Sequence, residues 1–135
     1  VMVLASIVHE ETNAVEEMPR IAGVYVNRLR MGMPLQADPT LKYAAGDFTL
    51  KRVLDKHKEI ESPYNTYKNR GLPPGPIRLA RPDVIDAVLN APKTDYLYMC
   101  ANPDFSGTHV FSSTYAKHSA TARQYQSELN KRKVK

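Results

Sequence analysis

Between Ser62 and Ile77 the chain reads SPYNTYKNRGLPPGPI, sixteen residues that hold four prolines and two glycines. Proline lacks a backbone donor and fixes φ, so no helix or central strand runs through such a stretch. A loop this long in a compact chain is either functional or disordered. Tyr64, Asn65 and Tyr67 inside it argue for order. Regular structure must therefore come from the segments on either side.

The first of these, Val1 to Thr12 (VMVLASIVHEET), reads as a helix. Leu4, Ile7, Val8 and Glu11 fall at i, i+3, i+4 and i+7, the apolar stripe of an amphipathic helix. The last member of the stripe is a carboxylate. Glu10 and Ser6 belong to another face, so Glu11 is the acid aimed at the core side. Loss of hydration and the negative end of a helix dipole both oppose a charged carboxylate there. An acid that gives up a proton near neutrality needs such surroundings. The plainer reading is a rim glutamate paired with one of the many Lys and Arg.

A second helix follows. Asn13 to Glu16 has the spacing of a capping box, Glu16 and Glu17 suit a helix N-terminus, and Pro19 is tolerable in a first turn. Ile21, Val24, Tyr25 and Arg28 keep helical spacing to about Met31, and Gly32 stops it. Its expected role is to pack on the first helix and fix the direction of Glu11. Pro34 to Tyr43 reads as extended or turn-like, with Pro39 breaking any helix. Phe48 to Lys58 reads as a short helix, and Arg81 to Leu89 as another. Tyr96 to Ala101 and Thr108 to Ser112 are β-rich and form an expected hairpin through Asn102 to Gly107. Thr114 to Lys131 is a last, well-charged helix. The fold class is α+β: helices packed with a small antiparallel element.

Composition limits the function classes. A chain of 135 residues with 42% hydrophobic content makes one domain with a real core. The net charge of +5 suits an anionic partner, although Lys131, Arg132, Lys133 and Lys135 concentrate part of it in one tail. Nucleic-acid binding has no support beyond that charge, because no basic aromatic stripe or recognition motif is present. Cys100 is the only cysteine, so an internal disulfide is impossible, and its place in an apolar strand suits core packing better than nucleophilic chemistry. His9-Glu10 lacks the second histidine of a zincin, and the four histidines show no metal spacing. Gly71 to Gly75 lacks the Lys-Ser/Thr of a phosphate loop. No cofactor or metal is expected. The sequence has no signal peptide or membrane-length apolar run, and it starts without Met inside a helix, as a portion of a longer protein would.

Polar residues inside the proline-rich loops are the next candidates. Gln36 and Asp38 lie between Pro34 and Pro39, and Tyr64, Asn65 and Tyr67 between Pro63 and Pro73. Restricted loops hold side chains in place at lower entropic cost. Amides and hydroxyls beside aromatic faces suit a sugar, which has polar edges and apolar ring faces. The competing reading is that Asn65 and Asp38 only hold their own turns. His109 shares a strand face with Phe111 and is either a structural or a site histidine.

The blocks ASIVHEET, IAGVYVNRLRMGMPLQADPT, SPYNTYKNRGLPPGPI, NAPKTDYLYMCA and GTHVF, in that order, resemble the catalytic domain of the MltG (YceG-like) endolytic murein transglycosylases. The resemblance spans about Leu4 to Tyr125. It implies a YceG-like, lysozyme-like catalytic domain over residues 1–135, cut from a longer protein of the cell envelope. It implies cleavage of the β-1,4 bond between N-acetylmuramic acid and N-acetylglucosamine, leaving a 1,6-anhydro end. The family's catalytic glutamate, directly before Thr, carries over to Glu11. His9 and Glu10 depart from the glutamate and lysine usual in that segment, so the resemblance assigns no role to His9 and leaves Glu11 intact. Gln36, Asp38, Tyr64, Asn65, Tyr67 and His109 are the expected sugar-binding residues. The implied partners are peptidoglycan strands and the wall-synthesis machinery, with the membrane reached only through an N-terminal anchor. Two alternatives stay open: a hydrolysing muramidase with Asp38 as second carboxylate, and a non-catalytic peptidoglycan-binding module.

Overall fold

The computed structural model describes residues 1–46, 53–102 and 108–131. Helix α1 (Met2–Glu11) is followed by a 3-10 turn, Val15–Glu17, and by α2 (Met18–Met31). Then come α3 (Asp38–Ala45), the short α4 (Asp55–Lys58) and α5 (Pro82–Leu89). Strands β1 (Tyr98–Ala101) and β2 (His109–Ser112) pair antiparallel, and α6 (Tyr115–Lys131) ends the described chain. The α+β reading holds.

Helix α1 is the centre of the packing. It touches α2, α3 and α5, and every residue from Leu4 to Val8 is buried. The amphipathic reading was therefore too narrow: Ser6, assigned to an outer face, is wholly inaccessible. A helix covered on all sides needs no polar face, provided its polar atoms find partners. Ser6 Oγ donates to the Val3 carbonyl at 2.6 Å and accepts the Ile77 N–H at 3.0 Å. That second bond ties the end of the proline-rich loop to the central helix.

Helix α2 follows the expected stripe, burying Ile21, Val24, Tyr25 and Arg28. It ends at Gly32, whose φ of 69° is left-handed and open to glycine. Its other face supports the hairpin. Asn27 Nδ2 donates to the carbonyls of Thr94 and Tyr96, both at 2.9 Å. Gly23 permits the approach, since a Cβ there would stand 3.4 Å from the Pro92 carbonyl oxygen.

Three local expectations need correction. Pro39 does not break a helix; it sits in the first turn of α3, where its missing N–H costs nothing. No side chain of the Asn13–Glu16 segment caps the 3-10 turn or α2, and Thr12 Oγ1 accepts the Ala14 N–H instead. The helix expected over 48–58 is one turn, Asp55–Lys58, among the described residues; residues 48–52 and most of the hairpin link lie outside them. The Ser62–Ile77 stretch contains no helix or strand, as its prolines require.

The hairpin register pairs Tyr98 with Ser112, Met99 with Phe111, Cys100 with Val110 and Ala101 with His109. Helix α6 packs on both strands. Among the described residues no helix is long and apolar enough to cross a membrane.

Replacing Ser6 by Ala leaves the Ile77 N–H buried without an acceptor. Such an orphan costs about 1–3 kcal/mol, so Ser6→Ala is expected to lower the urea midpoint accordingly with an unchanged slope. A loss below about 0.5 kcal/mol would show that the loop is not anchored this way.

Candidate active site

Two acids at the end of α1 part company. Glu10 turns outward and pairs at 2.5 Å with Arg78, the residue after the proline-rich loop. Glu11, the last helical residue, turns inward on the face it shares with Leu4, Ile7 and Val8, and Thr12 then leaves the helix with extended φ and ψ of −151° and 151°. Its side chain is 17% exposed. One oxygen, Oε2, accepts the Tyr25 hydroxyl at 2.8 Å. The other, Oε1, faces His109 Nε2 at 3.8 Å. Burial first, and then the Glu11 charge, push the Tyr25 phenol well above its ordinary value. Tyr25 therefore stays protonated and donates. The sequence expectation counted desolvation and the helix terminus and lacked both of these polar partners.

His109 opens β2 and is itself held from behind. Glu17 stands at the start of α2, as expected, but it is turned inward and only 2% exposed. Its two oxygens accept the backbone N–H of His109 at 2.8 and 2.9 Å. The Glu17 Oε2 also lies 3.6 Å from His109 Nδ1, which has no closer partner. Burial alone would push the imidazole down. The nearby Glu11 carboxylate, joined by that of Glu17, outweighs it, and His109 ends above the ordinary histidine value.

The loop between α2 and α3 supplies a second wall. Arg28 organises it: Nε donates to the Leu97 carbonyl at 2.6 Å and a terminal nitrogen to the Pro34 carbonyl at 2.8 Å. Gln36 adopts a φ of 50°, the one positive value for a non-glycine among the described residues. Its side chain is exposed toward the opening. Backbone held in this region is costly and persists where surrounding contacts enforce it. Here the enforcing contacts are Gln36 N–H to the Thr66 carbonyl at 3.3 Å and Ala37 N–H to Thr66 Oγ1 at 2.9 Å. Thr66 Oγ1 also shares a 2.8 Å bond with Thr40 Oγ1. The two proline-rich loops are thus stitched together below the surface.

Asp38 and Tyr67 meet across this seam, the Tyr67 hydroxyl donating to Asp38 Oδ1 at 2.5 Å. Burial pushes the Asp38 carboxyl up, the Tyr67 bond opposes this, and the Glu11 charge adds to the rise. The Tyr67 phenol is raised by burial and then by Asp38, so it too remains a donor.

Glu11, Gln36, Asp38, Tyr67 and His109 all line one cavity of about 420 Å³. That size suits a small ligand or a few sugar units. Tyr64 and Asn65 do not line it. Asn65 is completely buried: Nδ2 donates to the Lys58 and Ile60 carbonyls at 3.0 and 2.8 Å, and Oδ1 accepts the Tyr67 N–H at 2.9 Å. All of its capacity goes into shaping the loop, the turn-holding alternative. Tyr64 packs on Tyr43 with ring centres 4.7 Å apart. Its hydroxyl crowds Gly75, where a Cβ would stand 3.2 Å away. Asn65 positions Tyr67 through its Oδ1 bond, and neither Asn65 nor Tyr64 lines the cavity.

Several lining residues were not singled out beforehand. Tyr25 and Arg28 were visible as polar members of the α2 stripe, the same signal that exposed Glu11. Helix α6 contributes His118, Tyr125 and Gln126, which no local pattern distinguishes from a solvated face. Cys100 lines the cavity half-buried, and burial pushes its thiol up, so it is a packing residue with no thiolate character. Among the described residues no cluster of three His, Cys, Asp or Glu side chains could hold a metal ion.

Residues 1–124 match the YceG-like family. The endolytic murein transglycosylase of Bacillus subtilis (strain 168) is 45% identical over 131 residues, 97% of this chain and 36% of the relative. That of Streptococcus pneumoniae (strain D39) is 39% identical over 105 residues, 75% of this chain and 19% of the relative. A crystal structure of a yceG-like protein from Listeria monocytogenes superposes with a TM-score of 0.79 at 42% identity, covering 87% of this chain and 38% of that one. The chain thus spans about a third of the first curated relative it matches and a fifth of the second. Family match, shared fold and matching relatives agree, and the chain belongs to the YceG-like family.

Proposed function

We propose that this chain is the catalytic portion of an endolytic peptidoglycan lytic transglycosylase that acts at the cell envelope. The substrate is the β-1,4 bond between N-acetylmuramic acid and N-acetylglucosamine inside a glycan strand, and the product carries a 1,6-anhydro-muramic end. One observation carries the reading. A carboxyl group closes a fully packed helix, meets a tyrosine hydroxyl and an imidazole, and opens into a cavity walled by two proline-rich loops.

The reaction needs one carboxyl group used twice. Glu11 first gives its proton to the leaving glycosidic oxygen as the bond to C1 breaks. The carboxylate so formed then takes the proton of the muramic C6 hydroxyl while that oxygen bonds to C1. Glu11 ends protonated, as it began, and no water is consumed. The nucleophile belongs to the substrate, so proximity replaces a bound water. Tyr25 keeps the carboxyl oriented. Gln36 and the Asp38–Tyr67 pair offer acceptors and donors to sugar hydroxyls and acetamides.

A second reading is kept for a specific reason. Asp38 lines the same cavity and its charge is coupled to that of Glu11, the arrangement a two-carboxylate hydrolase uses. The products distinguish them. Mass spectrometry of digested peptidoglycan should find anhydro-muramic ends if water is excluded, and reducing ends if Asp38 activates water. Glu11→Gln should lower cleavage by at least about a hundredfold while strand binding persists. Unchanged cleavage would remove Glu11 from the chemistry, and unchanged binding with no cleavage by the unsubstituted chain would favour a binding module.

Asp38 also yields a stability prediction. Its folded-state value is raised, so the native state holds the proton more tightly than the unfolded chain does. Ionised Asp38 therefore opposes folding, and this penalty disappears as pH falls toward the unfolded value of about 3.9. Asp38→Asn should gain stability relative to the unsubstituted chain as pH rises from about 4 to neutrality. Urea unfolding across that range measures it, and a flat difference would contradict the assigned burial.

A further inference from the structure

We propose that Glu17 is a positioning residue that acts through His109, holding its imidazole as the fixed cation facing Glu11. The inference rests on Glu11 as the acid and deepens that reading.

Two features of Glu17 exceed what a strand needs. A backbone N–H requires one neutral acceptor, yet the His109 N–H is taken by both oxygens of a carboxylate that is 2% exposed. A buried carboxylate is costly unless a positive group accompanies it. The imidazole is that group. It lies between two acids, Nδ1 3.6 Å from Glu17 and Nε2 3.8 Å from Glu11. The backbone bonds fix where the ring emerges, and the charge behind it retains the second proton.

Other groups near His109 do not replace this pairing. Tyr25 of α2 spends its hydroxyl on Glu11. Arg20 lies over the Phe111 ring at 5.3 Å, and the centre of that ring is 6.5 Å from that of the imidazole. Cys100 of β1 stays a neutral thiol, while His118 and Tyr125 of α6 share the cavity walls. His118 is lowered by burial and then by Arg28, so it is neutral at physiological pH.

Across the cycle His109 keeps both protons and transfers neither. When Glu11 loses its proton to the glycosidic oxygen, the adjacent cation compensates the new charge. Activity should therefore fall as pH rises through the titration of His109, and Glu17 sets where that happens.

Glu17→Gln tests this, because it retains volume and one acceptor for the N–H but removes the charge. With purified glycan strands as substrate, kcat near pH 8 should drop about tenfold, KM should change less than about twofold, and the deficit should vanish toward acid pH. A deficit equal at every pH would mean that Glu17 only holds the strand, and would overturn the proposal. Histidine NMR supplies a readout that needs no turnover: the His109 midpoint should fall in Glu17→Gln, and an unchanged midpoint also overturns it. Should that variant not fold, the unsubstituted protein decides, since a His109 midpoint at or below that of a free imidazole contradicts the proposal. Failure of the underlying reading looks different: Glu11→Gln would then cleave at the normal rate whatever Glu17 does.

Discussion

The burial of α1 on every side is the constraint from which the rest follows. Ile7 and Val8 are wholly inaccessible, and α2, α3 and α5 surround the helix. The helix ends at Glu11, and the Glu11 side chain lines the cavity. The carboxyl group is placed by packing, not by a flexible loop. Side chains mounted on rigid elements hold their geometry more closely than those on loops. The same helix anchors the proline-rich loop through Ser6 and Ile77, so one element fixes the acid and one wall of the cavity around it.

Polar groups inside this frame divide the labour. Asn65, Thr66 and Thr40 spend their hydrogen bonds on joining two loops, which leaves Gln36 strained and exposed and Asp38 paired with Tyr67. Arg28 joins the α2–α3 loop to the segment before β1 and lies over the Tyr98 ring at 5.1 Å. Glu17 holds the first residue of β2. The walls built from the two loops and β2 thus each have a buried polar group behind them that touches backbone. Backbone bonds of this kind fix where a side chain emerges, and the emerging side chains remain available to a ligand.

Much of this was legible in the sequence because it follows from period and sterics. The stripe ending in Glu11, the stop at Gly32, the irregular Ser62–Ile77 stretch and the hairpin all come from rules that act over a few residues. What escaped depends on partners far along the chain. Glu17 is the helix-start acid it reads as, but its partner, His109, lies 92 residues away and leaves no local signal. Asn65 offered both a sugar contact and a turn bond, and in the folded chain its amide is committed to Lys58, Ile60 and Tyr67. Pro39 was read by its general effect on helices, while its actual position in the first turn made it a helix starter. The α6 wall was invisible because a polar helix that lines a wet cavity has the composition of one that faces solvent.

The central claim is that the Glu11 carboxyl meets the bond that breaks. A crystal structure of Glu11→Gln with a bound peptidoglycan tetrasaccharide tests it most directly. The account predicts the scissile glycosidic oxygen within about 3 Å of the substituted carboxamide, with the muramic C6 hydroxyl on the same side. A strand bound with its bonds well away from that carboxamide, or on the outer face beside Glu10 and Arg78, would contradict it.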